Sequence, residues 1–178
     1  MTKKLSIIDK DIDTILVLDF GSQYTQLIAR RIRELGVYSE ILPWDISSER
    51  LKCVKPKGVI LSGGPESVTK TNTPRISNEI FALSVPILGI CYGMQTLAEQ
   101  NDGKVTTSSK KEFGYSKFSI EQDSLLFKGI NTKEIEVWMS HGDKVSSLPN
   151  NFELTGSTES AQIASMEHKE LPYYALQF

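Results

Sequence analysis

The stretch Val85-Pro86-Ile87-Leu88-Gly89-Ile90-Cys91-Tyr92-Gly93-Met94-Gln95 constrains this chain more than any other. Its apolar run reads as a short strand buried on both faces, and Met94 to Gln100 read as the first turns of a helix. Cys91 falls at the junction, with a glycine two positions to either side. This is the pattern of a nucleophile elbow, a sharp strand-to-helix turn whose flanking residues stay small so that neighbouring backbones can close in. A thiol so placed faces unpaired N–H groups and the positive end of a helix dipole, both of which favour the thiolate. Cys91 is therefore expected to be reactive, and the N–H of Tyr92 is expected to donate to a developing oxyanion. The bland alternative is an inert core cysteine, and the paired glycines argue against it.

Length and charge narrow the class. A chain of 178 residues suits one domain that buries a core without disulfides or metal. A formal net charge of −2 gives no electrostatic case for nucleic acid or an anionic membrane. The two cysteines, Cys53 and Cys91, make no disulfide framework and fit a reducing cytosol, and there is no zinc signature. No apolar stretch approaches the ~20 residues needed to span a bilayer. A soluble cytoplasmic protein is expected, with a mobile tail over residues 1–13 and one domain over 14–178.

Along the chain, Thr14–Asp19, Val37–Leu42 and Gly58–Leu61 read as parallel strands, separated by a helix capped by Ser22 and a short segment from Ser47 to Val54. Leu27, Ile28, Ile32 and Leu35 make the apolar stripe of the first helix, and Arg30, Arg31 and Arg33 read as its solvated face. Cys53 is expected to pack inward. Gly63-Gly64, at the carboxyl end of the third strand, belongs on the same rim of the sheet as Cys91, where its N–H groups could supply a second oxyanion donor. Thr73-Pro74 reads as the start of the next helix. From Lys104 to Glu121 the residues alternate, which suits exposed hairpins. The strand Ile135–Met139 then delivers Ser140-His141-Gly142-Asp143, read as a polar loop. Segments 152–158, 162–166 and 173–178 read as an antiparallel edge, with His168 as surface decoration in a charged turn between them. Together these give an α/β domain with a mostly parallel central sheet flanked by helices and an antiparallel C-terminal portion.

Four stretches carry a resemblance: residues 19–38 from Asp19-Phe20-Gly21-Ser22 onward, Leu61-Ser62-Gly63-Gly64-Pro65-Glu66-Ser67, Gly89 to Gln95, and Val137-Trp138-Met139-Ser140-His141-Gly142-Asp143-Lys144-Val145. They resemble the class I glutamine amidotransferases, and more narrowly the amidotransferase domain of the GMP synthetase family, over nearly the whole chain from about residue 14. The resemblance implies a flavodoxin-like domain that hydrolyses L-glutamine. Ammonia then passes to an ATP-pyrophosphatase (synthetase) domain of the same enzyme, which aminates XMP to GMP with ATP and Mg2+; a homodimer of the full enzyme is compatible with it. No cofactor is expected in the amidotransferase domain itself. Cys91 corresponds to the nucleophile, and the N–H groups of Gly64 and Tyr92 to the oxyanion hole. Gln95, Ser140, His141, Gly142 and Asp143 correspond to the residues that hold the amino-acid end of glutamine. An Asp143 carboxylate suits an α-ammonium group, and main-chain groups of its neighbours suit the carboxylate or amide.

In the family a strand ending Gln-Phe is followed by His-Pro-Glu, which supplies the general base and the carboxylate that orients it. This sequence ends at Gln177-Phe178. A fragment of a longer enzyme, with little or no turnover of its own, is the expectation. The alternatives are a catalytically crippled glutamine-binding or docking module and an unrelated elbow thiol hydrolase. Gln95 and Ser140 to Asp143 argue against the last.

Overall fold

The computed structural model describes residues 12–178, apart from the side chains of 109–112, so the expected tail lies almost wholly outside the described residues. The strands are β1 (Thr14–Asp19), β2 (Tyr38–Pro43), β3 (Gly58–Leu61), β4 (Ile87–Ile90), β5 (Lys104–Ile120), β6 (Glu134–Ser147), β7 (Phe152–Thr158), β8 (Ser165–His168) and β9 (Tyr173–Leu176). The helices are α1 (Thr25–Glu34), α2 (Ser48–Val54), α3 (Asn78–Ala82) and α4 (Tyr92–Glu99). These nine strands of the described residues join one sheet in the order β2-β1-β3-β4-β9-β8-β7-β5-β6. The ladders from β2 to β9 are parallel and those from β9 to β6 antiparallel. No helix among the described residues is long and apolar enough to cross a membrane.

The parallel half is built from the continuous apolar runs that strands buried on two faces require. Leu16 and Leu18 of β1, Val59 and Leu61 of β3 and Ile87 of β4 pack with Met94, Leu97 and Ala98 of α4 in one buried cluster. A second cluster, Phe118, Phe127, Val137, Met139, Ala161 and Ala164, covers the antiparallel end. Gly156 lies beneath the Phe118 ring, where any Cβ would collide with it.

Local chemistry shifts several expected boundaries. Ser22 does not cap α1: its Oγ accepts the N–H of Tyr24 at 3.0 Å in a turn of its own, and the helix starts at Thr25, whose hydroxyl donates to Asp19 Oδ1 at 2.8 Å. The buried side of α1 is therefore Thr25 and Ala29, with Leu27 and Leu35 exposed. Arg30 and Arg31 both reach Glu34, as a solvated face should. In α2 only Leu51 is buried, and Cys53, two residues on and so across the helix, is exposed rather than packed. Helix α3 starts at a Ser77 cap, not at Thr73-Pro74. The stretch before it stays irregular because the Gln100 amide takes both main-chain groups of Ile76, at 2.8 and 2.9 Å. Residues 104–121, expected as hairpins, form one long strand, because β6 supplies a partner along most of its length.

His168 is not decoration. Its Nδ1 accepts the N–H groups of Glu170 and Leu171, both at 3.0 Å, and its ring lies edge-on to Phe152 and Tyr173. Truncation would leave two main-chain donors unpaired and remove two aromatic contacts. His168→Ala is expected to destabilise the fold by about 2 kcal/mol, read from urea unfolding midpoints.

Candidate active site

Cys91 sits between β4 and α4 with φ 52° and ψ −106°, a backbone conformation that residues other than glycine rarely adopt. Main-chain bonds hold it there: Cys91 N–H to the Leu176 carbonyl at 2.8 Å, Gly93 N–H to Ser62 O at 3.1 Å, and Gln95 N–H to Cys91 O at 3.1 Å. The flanking glycines are required by close approach. A Cβ on Gly89 would lie 2.7 Å from the Gly93 oxygen, and one on Gly93 would overlap the Leu61 carbonyl.

The loop after β3 reaches the same rim, as the parallel topology predicts. Gly64 is pressed against the loop after β1, where a Cβ would lie 2.5 Å from the Phe20 oxygen, and a Cβ on Gly63 would stand 3.6 Å from that of Cys91. Ser62 ties the two loops together by accepting the Phe20 N–H on its hydroxyl at 3.0 Å.

Ser140 to Asp143 are not a loop. They lie within β6, where His141 and Asp143 continue the inward positions of Val137, Met139 and Val145 and are buried like them. Polar side chains occupy these inward positions because the sheet there forms the wall of a groove. That groove, about 470 Å3, is lined by Gly64, Cys91, Gln95 and Ser140 to Asp143, so seven of the eight residues expected from sequence meet around it. The eighth, Tyr92, turns its side chain away. The phenol is buried, donates to the Pro74 carbonyl at 2.7 Å and packs on Phe20, leaving only its N–H beside the Cys91 sulfur.

Two further atoms approach Sγ, each at 3.7 Å: the Ser140 carbonyl oxygen, to which the thiol donates, and Nε2 of Gln177, from which it accepts. Gln177 is a site residue that the sequence reading missed. The available signal was its place, directly after a strand that the topology sets beside the elbow. The expected preference for thiolate is reversed. Burial is the main reason that the Cys91 thiol is pushed above its ordinary value; the Tyr92 N–H opposes this, the Asp143 charge adds to it, and the Gln177 amide opposes it more weakly. Helix-start donors are present, but desolvation outweighs them.

Burial likewise raises the phenols of Tyr92 and Tyr173. Above about pH 8.5 the unfolded chain releases protons that the folded chain still holds, so stability falls as the pH rises. Thermal midpoints are expected to decline from pH 8.5 to 10.5, and Cys91→Ser should remove the earliest part of that decline.

A strained elbow thiol at the carboxyl rim of a parallel sheet, with a glycine loop on one side and a polar strand on the other, defines a class of thiol enzyme. Comparison with known proteins identifies it: a family model, glutamine amidotransferase class-I, matches residues 16–178, and the chain belongs to this family. Within it the similarity is to GMP synthases. The glutamine-hydrolysing GMP synthase of Histophilus somni is 51% identical over 170 residues, covering 92% of this chain and 32% of that protein. That of Hamiltonella defensa is 52% identical over 178 residues, covering 95% and 34%. The chain thus spans about a third of the length of the curated relatives it matches. Among solved structures, a GMP synthase subunit protein of Thermoplasma acidophilum superposes with a TM-score of 0.78 at 34% identity, covering 94% of this chain and 83% of that one. A glutamine amidotransferase of Thermotoga maritima gives 0.72 at 19% identity, covering 93% and 75%, and shares the fold.

Proposed function

We propose that this chain is the glutaminase part of a GMP-synthase-like enzyme, hydrolysing glutamine through a Cys91 thioester. Ammonia would go to a synthetase domain outside this chain, where ATP and Mg2+ drive the amination of XMP. The observation that carries the reading is the strained Cys91 elbow opening on the groove shared with Gly64, Gln95 and Ser140 to Asp143. A cytoplasmic homodimer belongs to the same reading of the longer enzyme, and light scattering on that enzyme tests it.

The chemistry follows from the groups present. Sγ attacks the carboxamide carbon of glutamine, a C–S bond forms, and the carbonyl π pair moves to oxygen, where the N–H groups of Gly64 and Tyr92 receive it. Collapse expels ammonia, and water then attacks the thioester carbon, returning the thiol and releasing glutamate. Because the resting thiol is pushed toward its neutral form, its proton must leave as the C–S bond forms. The Ser140 carbonyl, the Gln177 amide and the Tyr92 N–H beside Sγ do not accept protons at neutral pH. In the family that the chain resembles, the base is the His of the His-Pro-Glu that follows the strand ending Gln-Phe, and we assign the role to it. The lack of a base among these groups is also what favours the second reading, a glutamine-binding module without turnover.

A diazoketone analogue of glutamine tests the site. Mass mapping is expected to find Cys91 alkylated and protected by glutamine, and Cys53 unprotected although it is the more exposed thiol. Asp143→Asn should weaken that protection by about 1.5–3 kcal/mol, the scale of a charge-assisted hydrogen bond. Labelling of both thiols without protection by glutamine would remove Cys91 from a glutamine site. Protection without ammonia release by any longer form of the chain would establish the binding-module reading.

A further inference from the structure

The geometry points to Gln177 as a positioning residue: its side-chain amide, oriented by Gln95, holds the sulfur of Cys91 and links it to strand β6. Gln177 is fully buried, its N–H is anchored on the Ala164 carbonyl at 2.9 Å, and the next residue, Phe178, packs edge-on against Phe118. The side chain therefore starts from a fixed point.

The polarity of the network sets which way the amide faces. The main-chain oxygen of Asp143 can only accept, so the group 2.8 Å from it must be Nε2 of Gln95. The same NH2 group also donates to Oε1 of Gln177, with Nε2 and Oε1 3.4 Å apart. With its oxygen committed to Gln95, Gln177 has only its own NH2 group to offer Cys91, and Nε2 lies 3.7 Å from Sγ. Gln95 of α4 thus donates both to β6 and to the residue after β9, and that residue donates in turn to the nucleophile. A donor aimed at sulfur stabilises a thiolate relative to a thiol and fixes the rotamer from which it attacks.

Among the described residues, the titratable and charged groups that line the groove with the sulfur are Asp143 and His141 from β6 and Glu66 and Lys70 from the loop after β3. All four remain in every variant below. The catalytic meaning of the network rests on the reading of Cys91 as nucleophile, but its existence is tested without turnover.

The experiment alkylates the chain with iodoacetamide from pH 6.5 to 10.5 and follows Cys91 and Cys53 separately by peptide mass mapping. In Gln177→Leu, and in Gln177→Met, which keeps an unbranched chain of similar length, the pH midpoint of Cys91 alkylation is expected to rise by about one unit. At pH 8 this is about a tenfold slower reaction. Cys53 should be unchanged, and the plateau rate separates a change of access from a change of thiolate fraction. Gln95→Leu frees the Gln177 amide to flip and should shift the midpoint in the same direction by a smaller amount. In the Gln177→Leu background it should add nothing, because Gln95 acts on sulfur only through Gln177. Midpoints in both Gln177 variants that match the unchanged chain would overturn the inference. So would a Gln95→Leu shift equal in the two backgrounds, or a fall at Cys53 equal to that at Cys91 in the Met variant. None of these results bears on whether glutamine is the substrate, which the diazoketone labelling decides.

Discussion

A chain extended by the family-like His-Pro-Glu and the helix that follows it is expected to turn over glutamine at least about a thousandfold faster than residues 1–178 alone. The expectation is built on the state of the thiol. Desolvation pushes the Cys91 thiol toward its neutral form, and the hydrogen-bond partners of its sulfur among the described residues are a carbonyl and N–H donors. Attack on the amide requires that proton to leave, loss of ammonia requires one to be delivered, and water needs a base to open the thioester. Positioned proton transfer accounts for about two to four powers of ten. A residual rate from the oxyanion donors and from proximity should persist in the shorter chain. Steady ammonia release by the two chains, purified identically, reads the difference directly. Equal rates would show that the base lies within residues 1–178, with His141 in the groove as the first residue to replace.

Gly93→Ala is expected to unfold the elbow, with a loss of more than about 3 kcal/mol. The new methyl would overlap the Leu61 carbonyl, a main-chain atom of a central strand that cannot swing aside. Relief requires α4 to lift from β3 and breaks the bond from Gly93 N–H to Ser62. For a domain of this size the thermal midpoint should fall by about 6–12 °C, and labelling of Cys91 by the glutamine analogue should be lost with it. Gly36→Ala is the control. Gly36 closes α1 at φ 80° with nothing within 4 Å of a new Cβ, so the expected cost is only about 1 kcal/mol of backbone strain. If Gly93→Ala were as mild as Gly36→Ala and kept its labelling, the elbow would not depend on close packing.

Much of the parallel half was legible because its signals are local. Thr14–Asp19 and Gly58–Leu61 are apolar runs whose limits coincide with β1 and β3, and Gly89 and Gly93 mark the elbow through a steric need that no side chain can meet. The antiparallel half was harder to read. His141 and Asp143 read as a loop because polarity usually means solvent, yet they hold the inward phase of Val137, Met139 and Val145 on one unbroken strand. The period of two was present in the sequence and continued through the polar residues. His168 was misjudged for another reason: two main-chain N–H groups and two rings converge on it only after folding. The state of the Cys91 thiol was illegible in the same way, since a helix start is a local feature and desolvation is a sum over the whole fold.

The placement of β9 bears on how the molecule comes into being. Tyr173–Leu176 is the last strand among the described residues but lies in the middle of the sheet, parallel to β4 on one side and antiparallel to β8 on the other. During synthesis the five-stranded parallel unit therefore lacks its fifth member, and the antiparallel ribbon lacks a neighbour, until Tyr173–Leu176 has left the ribosome. Closure must then pair residues about 85 positions apart, between Ile87–Ile90 and Tyr173–Leu176, which makes it a slow, non-local event. Until it happens β4 and β8 each present an open edge, so the nascent chain passes through a stage at which a holdase or a neighbouring chain competes with its own final strand. The same insertion brings the Leu176 carbonyl to the Cys91 N–H, so the elbow acquires its final geometry only in this closing step.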